Sequence, residues 1–331
     1  MRGETLQGVR IRHSTMMGYI KQALQLHEHR HLPNPKSADI NYIKIMTDAV
    51  KKWEEVPKRQ EMISDSMFRH MIKLYGRAHP NSLVAALSKW CFLGRYTGFR
   101  KSEWCSDHAH QYAKITDPEW GDKPNATPLI AEDFTFLGLG GEHLGDIDNF
   151  ADSAAAFNHL RIRHQKNNDN YQTLTYHRDT TNITLCPTQC CLNIARRARR
   201  LHLPMFHPVA IYYDFATNQR KQITSRQVAI FLRMVASKVF GLATPHPDLN
   251  KWSCHSIRVT AANLLHRAQY SDSFIKNRLR WRSDTFLMYL RNTFYTAEAH
   301  TKAITLNINP PTAEELRPLE MHEHYLSAGA T

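Results

Sequence analysis

Residues 254–292, CHSIRVTAANLLHRAQYSDSFIKNRLRWRSDTFLMYLRN, constrain this chain more than any other stretch, because they set one His, several Arg and one Tyr at helical spacings around apolar stripes. His255 and Arg258 stand three residues apart, so on a helix they share a face. Ile257, Ala261, Leu264, Leu265 and Ala268 form an apolar stripe around the other side. The pattern predicts a buried helix that presents its polar pair outward. Further on, Phe286 and Leu290 anchor a second short helix with Ser283 as its N-cap. Tyr289 rides on that helix beside the apolar residues that hold its backbone still. A fixed tyrosine near a histidine and several arginines is a kit for attack on a phosphodiester without a metal.

The bulk numbers agree with a polyanionic partner. The chain has 331 residues, which exceeds the usual single-core size and favours two domains. Its 43 Lys+Arg against 30 Asp+Glu give a formal charge of +13, and the pI is about 9.5. That balance fits nucleic acid, although a merely basic protein has it too. The six cysteines are sparse and include an adjacent pair, a poor framework for disulfides, so a reducing compartment is expected. No run approaches the roughly 18 apolar residues of a membrane span, and the first residues lack the apolar centre of a signal peptide. The expectation is a soluble intracellular protein with no membrane partner.

Periodicity divides the chain. Residues 1–60 read as helical, with Met17, Ile20 and Leu24 marking one stripe and Tyr42, Ile45, Met46, Ala49, Val50 and Trp53 a stronger one. Pro33 and Pro35 separate the two. Residues 54–62, EEVPKRQEM, are charged and contain Pro57, which makes them the linker candidate and places a boundary near residue 60. Leu83, Val84, Leu87, Trp90 and Cys91 then mark a buried helix that ends at Thr97 and Gly98, after which Arg100 and Glu103 open another. Residues 115–156 read as a loop-rich insertion around a strand at 134–139. Alternation through Leu160, Ile162, Leu174 and Tyr176 predicts a β-hairpin turning at 167–170, with Lys166 at its lip. Two more helices follow, one opened by Pro187 and one capped by Thr224 or Ser225. Residues 309–331 read as a mobile tail.

Together GRYTGFRKSEW, the hairpin lysine, LCPT, HSIR and RWRSDTFLMYLR resemble the tyrosine recombinase (phage integrase) family, in its order and approximate spacing. The RWRSD phrasing is most like the recombinases of eukaryotic mobile elements of the crypton type. The resemblance runs by motif over residues 65–295, and more loosely over 1–60 as a small helical DNA clamp. It implies a mainly α fold with a small antiparallel β-sheet (α+β): a core-binding-like domain at 1–60, a catalytic domain at 61–308 and the tail at 309–331. Carried over by motif, the first catalytic arginine is Arg100, its acidic supporter Glu103, the lysine Lys166, the histidine His255, the second arginine Arg258 and the nucleophile Tyr289. The family's His-or-Trp slot falls on Arg280 by count from Tyr289 and on Trp281 by side-chain type, and both stay open. The family also implies double-stranded DNA as partner, a homotetramer on two duplexes with residues 296–306 or the tail packing on a neighbour, and a nuclear location in a eukaryote. Neither cofactor nor metal is implied.

The chemistry suits these groups. In-line displacement at a phosphodiester gathers charge on the non-bridging oxygens, which guanidiniums hold with paired donors that stay charged at any working pH. A tyrosine, with an unperturbed pKa of about 10, needs cations or a base to become a nucleophile. Two other readings use the same residues: a DNA-binding protein that has lost strand transfer, and a relaxing enzyme like the type IB topoisomerases. Other clusters favour plain readings. Cys186, Cys190 and Cys191 lack a second ligand pair for zinc. HEHRH at 27–31 and MHEHY at 321–325 read as solvated histidines, and ARRARRL at 195–201 either grips phosphates or forms a solvated helix face.

Overall fold

A computed structural model describes residues 12–33, 37–52, 59–105, 128–163, 170–204, 206–290 and 301, with the backbone alone described at 37, 38, 285 and 289. Lys166, the segments at 296–300 and 302–306, the tail and MHEHY lie outside the described residues. The chain divides into two compact units, Met1–Arg59 and Gln60–Thr331.

Among its described residues the first unit holds two helices, α1 (His13–His29) and α2 (Ser37–Lys52). Two helices alone leave much apolar surface uncovered. On α2 the half-buried face is Ile43, Met46 and Val50 with buried Thr47, at the i, i+3, i+4, i+7 spacing of one stripe. Tyr42 and Ile45, which the sequence groups with that stripe, are exposed at 63% and 67%. The stripe is therefore narrower and rotated by about one residue.

In the second unit, α3 (Asp65–Arg77) leads to α4 (Leu83–Thr97). Ser64 and Ser82 cap them by accepting the backbone N–H of Met67 and Ala85. Apolar on nearly all sides, α4 runs through the core, with Leu87, Trp90, Phe92 and Leu93 at 2% exposure or less. The one-turn α5 (Lys101–Trp104) follows, and Trp104 stacks on Trp90 with centroids 5.0 Å apart.

A three-stranded antiparallel sheet then forms in the order β1 (Phe134–Leu137), β2 (Phe157–Ile162), β3 (Gln172–His177). Its register places Leu160 opposite both Phe134 and Leu174, so the buried faces of all three strands coincide. The helix α6 (Pro187–Arg200) backs the sheet: Thr188 Oγ1 donates to Asn158 Oδ1, and Asn158 Nδ2 donates to Cys191 Sγ. A hairpin of β4 (Ile211–Asp214) and β5 (Gln219–Gln222) precedes α7 (Ser225–Phe240), which Thr224 caps in a capping box with Gln227. There follow α8 (Cys254–Arg267), α9 (Asp272–Arg278) and a 3-10 helix, Asp284–Tyr289.

Part of the expected linker belongs to this unit. The Glu61 N–H donates to Lys251 O at 2.8 Å, the Ile63 N–H to Thr260 Oγ1 at 2.8 Å, and Trp252 Nε1 to Met62 O at 3.3 Å. Backbone donors and acceptors satisfied in this way make residues 61–63 a strap across the start of α8. Residues 54–58 of the linker lie outside the described residues. All six cysteines are buried, and none forms a disulfide. Among the described residues no helix is long and apolar enough to cross a membrane.

Candidate active site

The site begins where α4 stops. Gly98 adopts φ +55°, the left-handed cap that ends a helix, and a Cβ there would meet Leu279 at 3.1 Å and Ala261 at 3.3 Å. One turn earlier, a Cβ on Gly94 would lie 2.3 Å from Ile257. The two glycines thus let α8 lie close against α4, and GRYTG is a packing signal as well as a turn. Phe99 is buried beyond the cap, and Arg100 becomes the N-cap of α5. Glu103, at the third position of that helix, accepts the Arg100 backbone N–H on Oε2 at 3.0 Å.

That carboxylate is shared. Arg100 Nη1 donates to Glu103 Oε1 at 3.1 Å, and Arg280 Nη2 donates to Glu103 Oε2 at 2.7 Å. Glu103 is 1% exposed and Arg280 3%. Burial pushes the Glu103 carboxyl up, but Arg280, Arg100, Arg258 and the Arg100 N–H outweigh it and hold the group below the usual carboxylate range. Three guanidiniums against one carboxylate leave the cluster two positive charges in excess, which favours an anion beside it.

Arg280 reaches this position through a backbone conformation more usual for glycine. α9 ends with the Arg280 N–H bonded to Asn277 O and the Trp281 N–H to Lys276 O, with Arg280 at φ +58°. A non-glycine residue held there costs on the order of 1–3 kcal/mol. The side chain offsets that cost: Arg280 Nη1 donates to Thr97 O at 3.3 Å, and the Arg280 carbonyl accepts Arg100 Nη2 at 3.1 Å. One residue therefore holds Glu103 with its side chain and Arg100 with its backbone.

Arg258 corrects an expectation. It does not look outward from α8 but is 6% exposed, with Nη1 donating to Gly98 O at 2.7 Å and Nη2 to Leu279 O at 3.1 Å. Its guanidinium lies 4.4 Å from the centre of the Trp281 ring, a desolvated cation–π contact of up to about 2 kcal/mol. The helix is buried on nearly every side, so a side chain three residues from a half-buried one still faces α4. Arg100, at 18% side-chain exposure, is the most exposed of the three arginines.

Both residues considered for the His-or-Trp slot have a place here, Arg280 against Glu103 and Trp281 against Arg258. Trp281 also packs on Phe286, with centroids 5.5 Å apart, in a small core with Ala261, Ala262, Ile275 and Leu279. Phe286 is fully buried and Leu290 packs against the same core, which anchors the 3-10 helix that ends at Tyr289. Ser283 occupies its N-cap position but makes no side-chain cap bond. The helix is 3-10 rather than α. His255 is half-buried in the first turn of α8, where Ser253 Oγ accepts its backbone N–H at 3.2 Å.

The structure thus joins Arg100, Glu103, Arg258, Arg280 and Trp281, and sets His255 one turn ahead of Arg258. Lys166 is outside the described residues, as is the side chain of Tyr289. The strands that flank Lys166 are nevertheless tied to the cluster through a residue that motif reading passes over. Arg278, on α9, donates from Nη2 to Thr175 O and lies 4.5 Å from the ring centre of Tyr176 on β3. Burial pushes the Tyr176 phenol up to about 12 against the opposing pull of Arg278. The apolar–polar alternation of β3 marks Tyr176 as inward-facing, but nothing local marks Arg278.

The basic run on α6 is largely occupied. Arg196 pairs with Asp152, Arg199 with Asp146 at 2.5 Å and Asp148 at 3.0 Å, and Arg197 is buried with Nε on Pro80 O at 3.0 Å. Asp146, Asp148 and Asp152 thus face Arg196 and Arg199, so this part of the helix surface is ion-paired rather than simply solvated. Cys186 is the N-cap of α6, its sulfur accepting the Gln189 N–H at 3.4 Å. Among the described residues no group of three or more His, Cys, Asp or Glu is arranged to hold a metal ion. No protein-family model matches the chain, and neither does any curated protein.

Proposed function

We propose that this protein is a DNA strand transferase of the tyrosine recombinase type, which cleaves and rejoins DNA through a 3′-phosphotyrosyl bond. The observation that carries the proposal is one buried carboxylate held by Arg100 and Arg280, with the Arg258 guanidinium fixed nearby on the Gly98 and Leu279 carbonyls, beside the anchored helix that ends at Tyr289. In the proposed step the Tyr289 phenolic oxygen attacks phosphorus, the bond to the 5′ oxygen breaks, and the 3′ side of the strand stays on the protein. His255 takes the phenolic proton and Lys166 gives one to the leaving 5′ oxygen. Arg100 and Arg258 hold the non-bridging oxygens, with Glu103, Arg280 and Trp281 keeping both arginines in place. Rejoining runs the same step backwards, so neither ATP nor a metal ion enters the balance. Recombination on this scheme uses four protomers on two duplexes, in the nucleus of a eukaryotic host.

A second reading, DNA binding without strand transfer, draws on Arg258, whose two terminal nitrogens both donate to backbone carbonyls. One experiment separates the two. Protein is incubated with supercoiled plasmid and with nicked duplexes of mixed sequence in the presence of a chelator, then quenched with detergent. Strand transfer gives a covalent adduct that maps to Tyr289, absent in Tyr289→Phe although DNA binding persists. Arg258→Ala lowers the adduct rate about a hundredfold to a thousandfold. Retained binding with no adduct from the unaltered protein would favour the second reading, and relaxed plasmid without defined junctions would favour a topoisomerase-like enzyme.

A further inference from the structure

A second cationic feature lies at the other end of α4. The segment before that helix is held by α6 and β4: Arg200 Nε donates to Asn81 Oδ1 at 3.3 Å, and the Tyr213 N–H donates to Asn81 O at 2.7 Å. Arg100 and Gly98 lie past the opposite end of α4, about 20 Å along a 15-residue helix. Here the C-terminus of α6 and the β4–β5 hairpin enclose an open groove of about 610 Å³, lined by Arg200, His202, Tyr213, Asn218 and Arg220 among others. No carboxylate is among the described residues that line it.

Its two guanidiniums differ from the rest of the α6 run. Arg220 is fixed, with Nη1 donating to Leu201 O and His202 O, both at 2.9 Å. That arrangement also satisfies carbonyls at the end of α6. Among the described residues no hydrogen bond uses Arg220 Nη2 or either Nη of Arg200. Arg196 and Arg199, one turn or less away, are spent on aspartates. Beside these donors is an aromatic row. Tyr213 and Phe215 share a face of the hairpin with centroids 5.1 Å apart, and the His79 and Phe215 rings pack T-shaped with centroids 4.8 Å apart. Phe215 nonetheless stays 56% exposed.

We propose that this groove binds a single-stranded segment of nucleic acid, with phosphate on Arg200 and Arg220 and an unpaired base stacked on Phe215. Planar donors serve phosphate bidentately, and an exposed aromatic ring serves a base of any sequence. The choice of nucleic acid rests on the DNA reading above, whereas the groove itself rests on its own residues. A strand held here lies about 20 Å from the arginine cluster, so the groove would grip DNA outside the cleaved phosphodiester.

The test measures fluorescence anisotropy of a labelled oligothymidylate with the full chain and with Phe215→Ala and Arg200→Gln, both exposed positions. Arg220 is left intact because it caps α6. Each variant is expected to weaken oligothymidylate binding about tenfold, and Arg200→Gln also to flatten its salt dependence, while the yield of Tyr289 adduct on duplex stays as in the unaltered chain. Binding by either variant equal to the unaltered protein overturns the proposal. So does displacement of the oligonucleotide by thymidine monophosphate or pyrophosphate at comparable concentration, which would indicate a nucleotide pocket. Loss of binding in both variants in a protein that forms no Tyr289 adduct upholds the groove and removes strand transfer.

Discussion

The arginine cluster around Glu103 and the arginine run of α6 hold similar charge and use it in opposite ways. In the cluster, residues far apart in sequence converge on one carboxylate, and the surplus charge is steadied by the carbonyls of Thr97, Gly98, Leu279 and Arg280. In the run, Arg196 meets Asp152 and Arg199 meets Asp146 and Asp148, so no positive charge is left over between these residues. A dense run of cations is thus a weak sign of an anion site, because acids from another segment can fold against it. Scattered arginines that outnumber their shared acid are the stronger sign.

The largest expected effect comes from breaking the cluster at Arg280. Arg280→Ala removes the 2.7 Å partner of a carboxylate that is 1% exposed. Breaking such a buried pair costs about 3–5 kcal/mol, because the acid stays buried with less compensation. Denaturant unfolding measures it. Arg280→Gly should recover part of the loss, since glycine adopts φ +58° without strain. A cost under about 1 kcal/mol for Arg280→Ala would place this pair with surface pairs and erase the contrast with α6.

How far the sequence reveals these regions follows from the same contrast. Helix stripes, caps and the alternating strands are local, and α4, α7 and the β2–β3 pair follow the apolar periodicity closely. Arg100 and Glu103 are legible because a three-residue spacing on a short helix brings them together. The inward turn of Arg258 is not, since the pattern of α8 marks a buried side but not that α4 covers the other. Nor is the left-handed backbone of Arg280, where sequence rules expect glycine. Arg278 on Tyr176 and the aspartates on α6 join segments about 100 and 50 residues apart, which no periodicity records. On α2, Tyr42 and Ile45 mislead because apolar residues surround most of that helix.

A smaller effect, confined to acid pH, sharpens the account of Glu103. Its carboxyl is held below the usual range in the folded chain, with Arg280 the strongest opponent of burial. The folded state therefore gains stability from the ionised form above the unfolded value of about 4.3, and loses it as pH falls through the lower folded value. Glu103→Gln lacks that contribution. The stability gap between the two proteins should be widest near neutral pH and shrink below about pH 4.3, as read from unfolding midpoints across pH. A gap constant down to pH 2 would mean that Glu103 is not held ionised by the arginines.

The smallest effect is expected in the α6 run, and its smallness carries the argument. Each phosphate that a protein neutralises contributes about 0.9 to the slope of log affinity against log salt for duplex DNA. Arg199 already has Asp146 and Asp148 as partners, and Arg196 has Asp152. To reach a phosphate, either would have to give up those contacts in exchange for others of the same kind. Arg199→Gln and Arg196→Gln should therefore leave the salt slope unchanged, with a stability loss of no more than about 1 kcal/mol for the half-buried Arg196 pair. Titrations of labelled duplex at several salt concentrations measure the slope. A fall of about 0.9 in either variant would mean that DNA draws the arginine off its aspartates. The acidic segment would then be a gate over a phosphate contact, and the α6 run would join the Glu103 cluster as a working site.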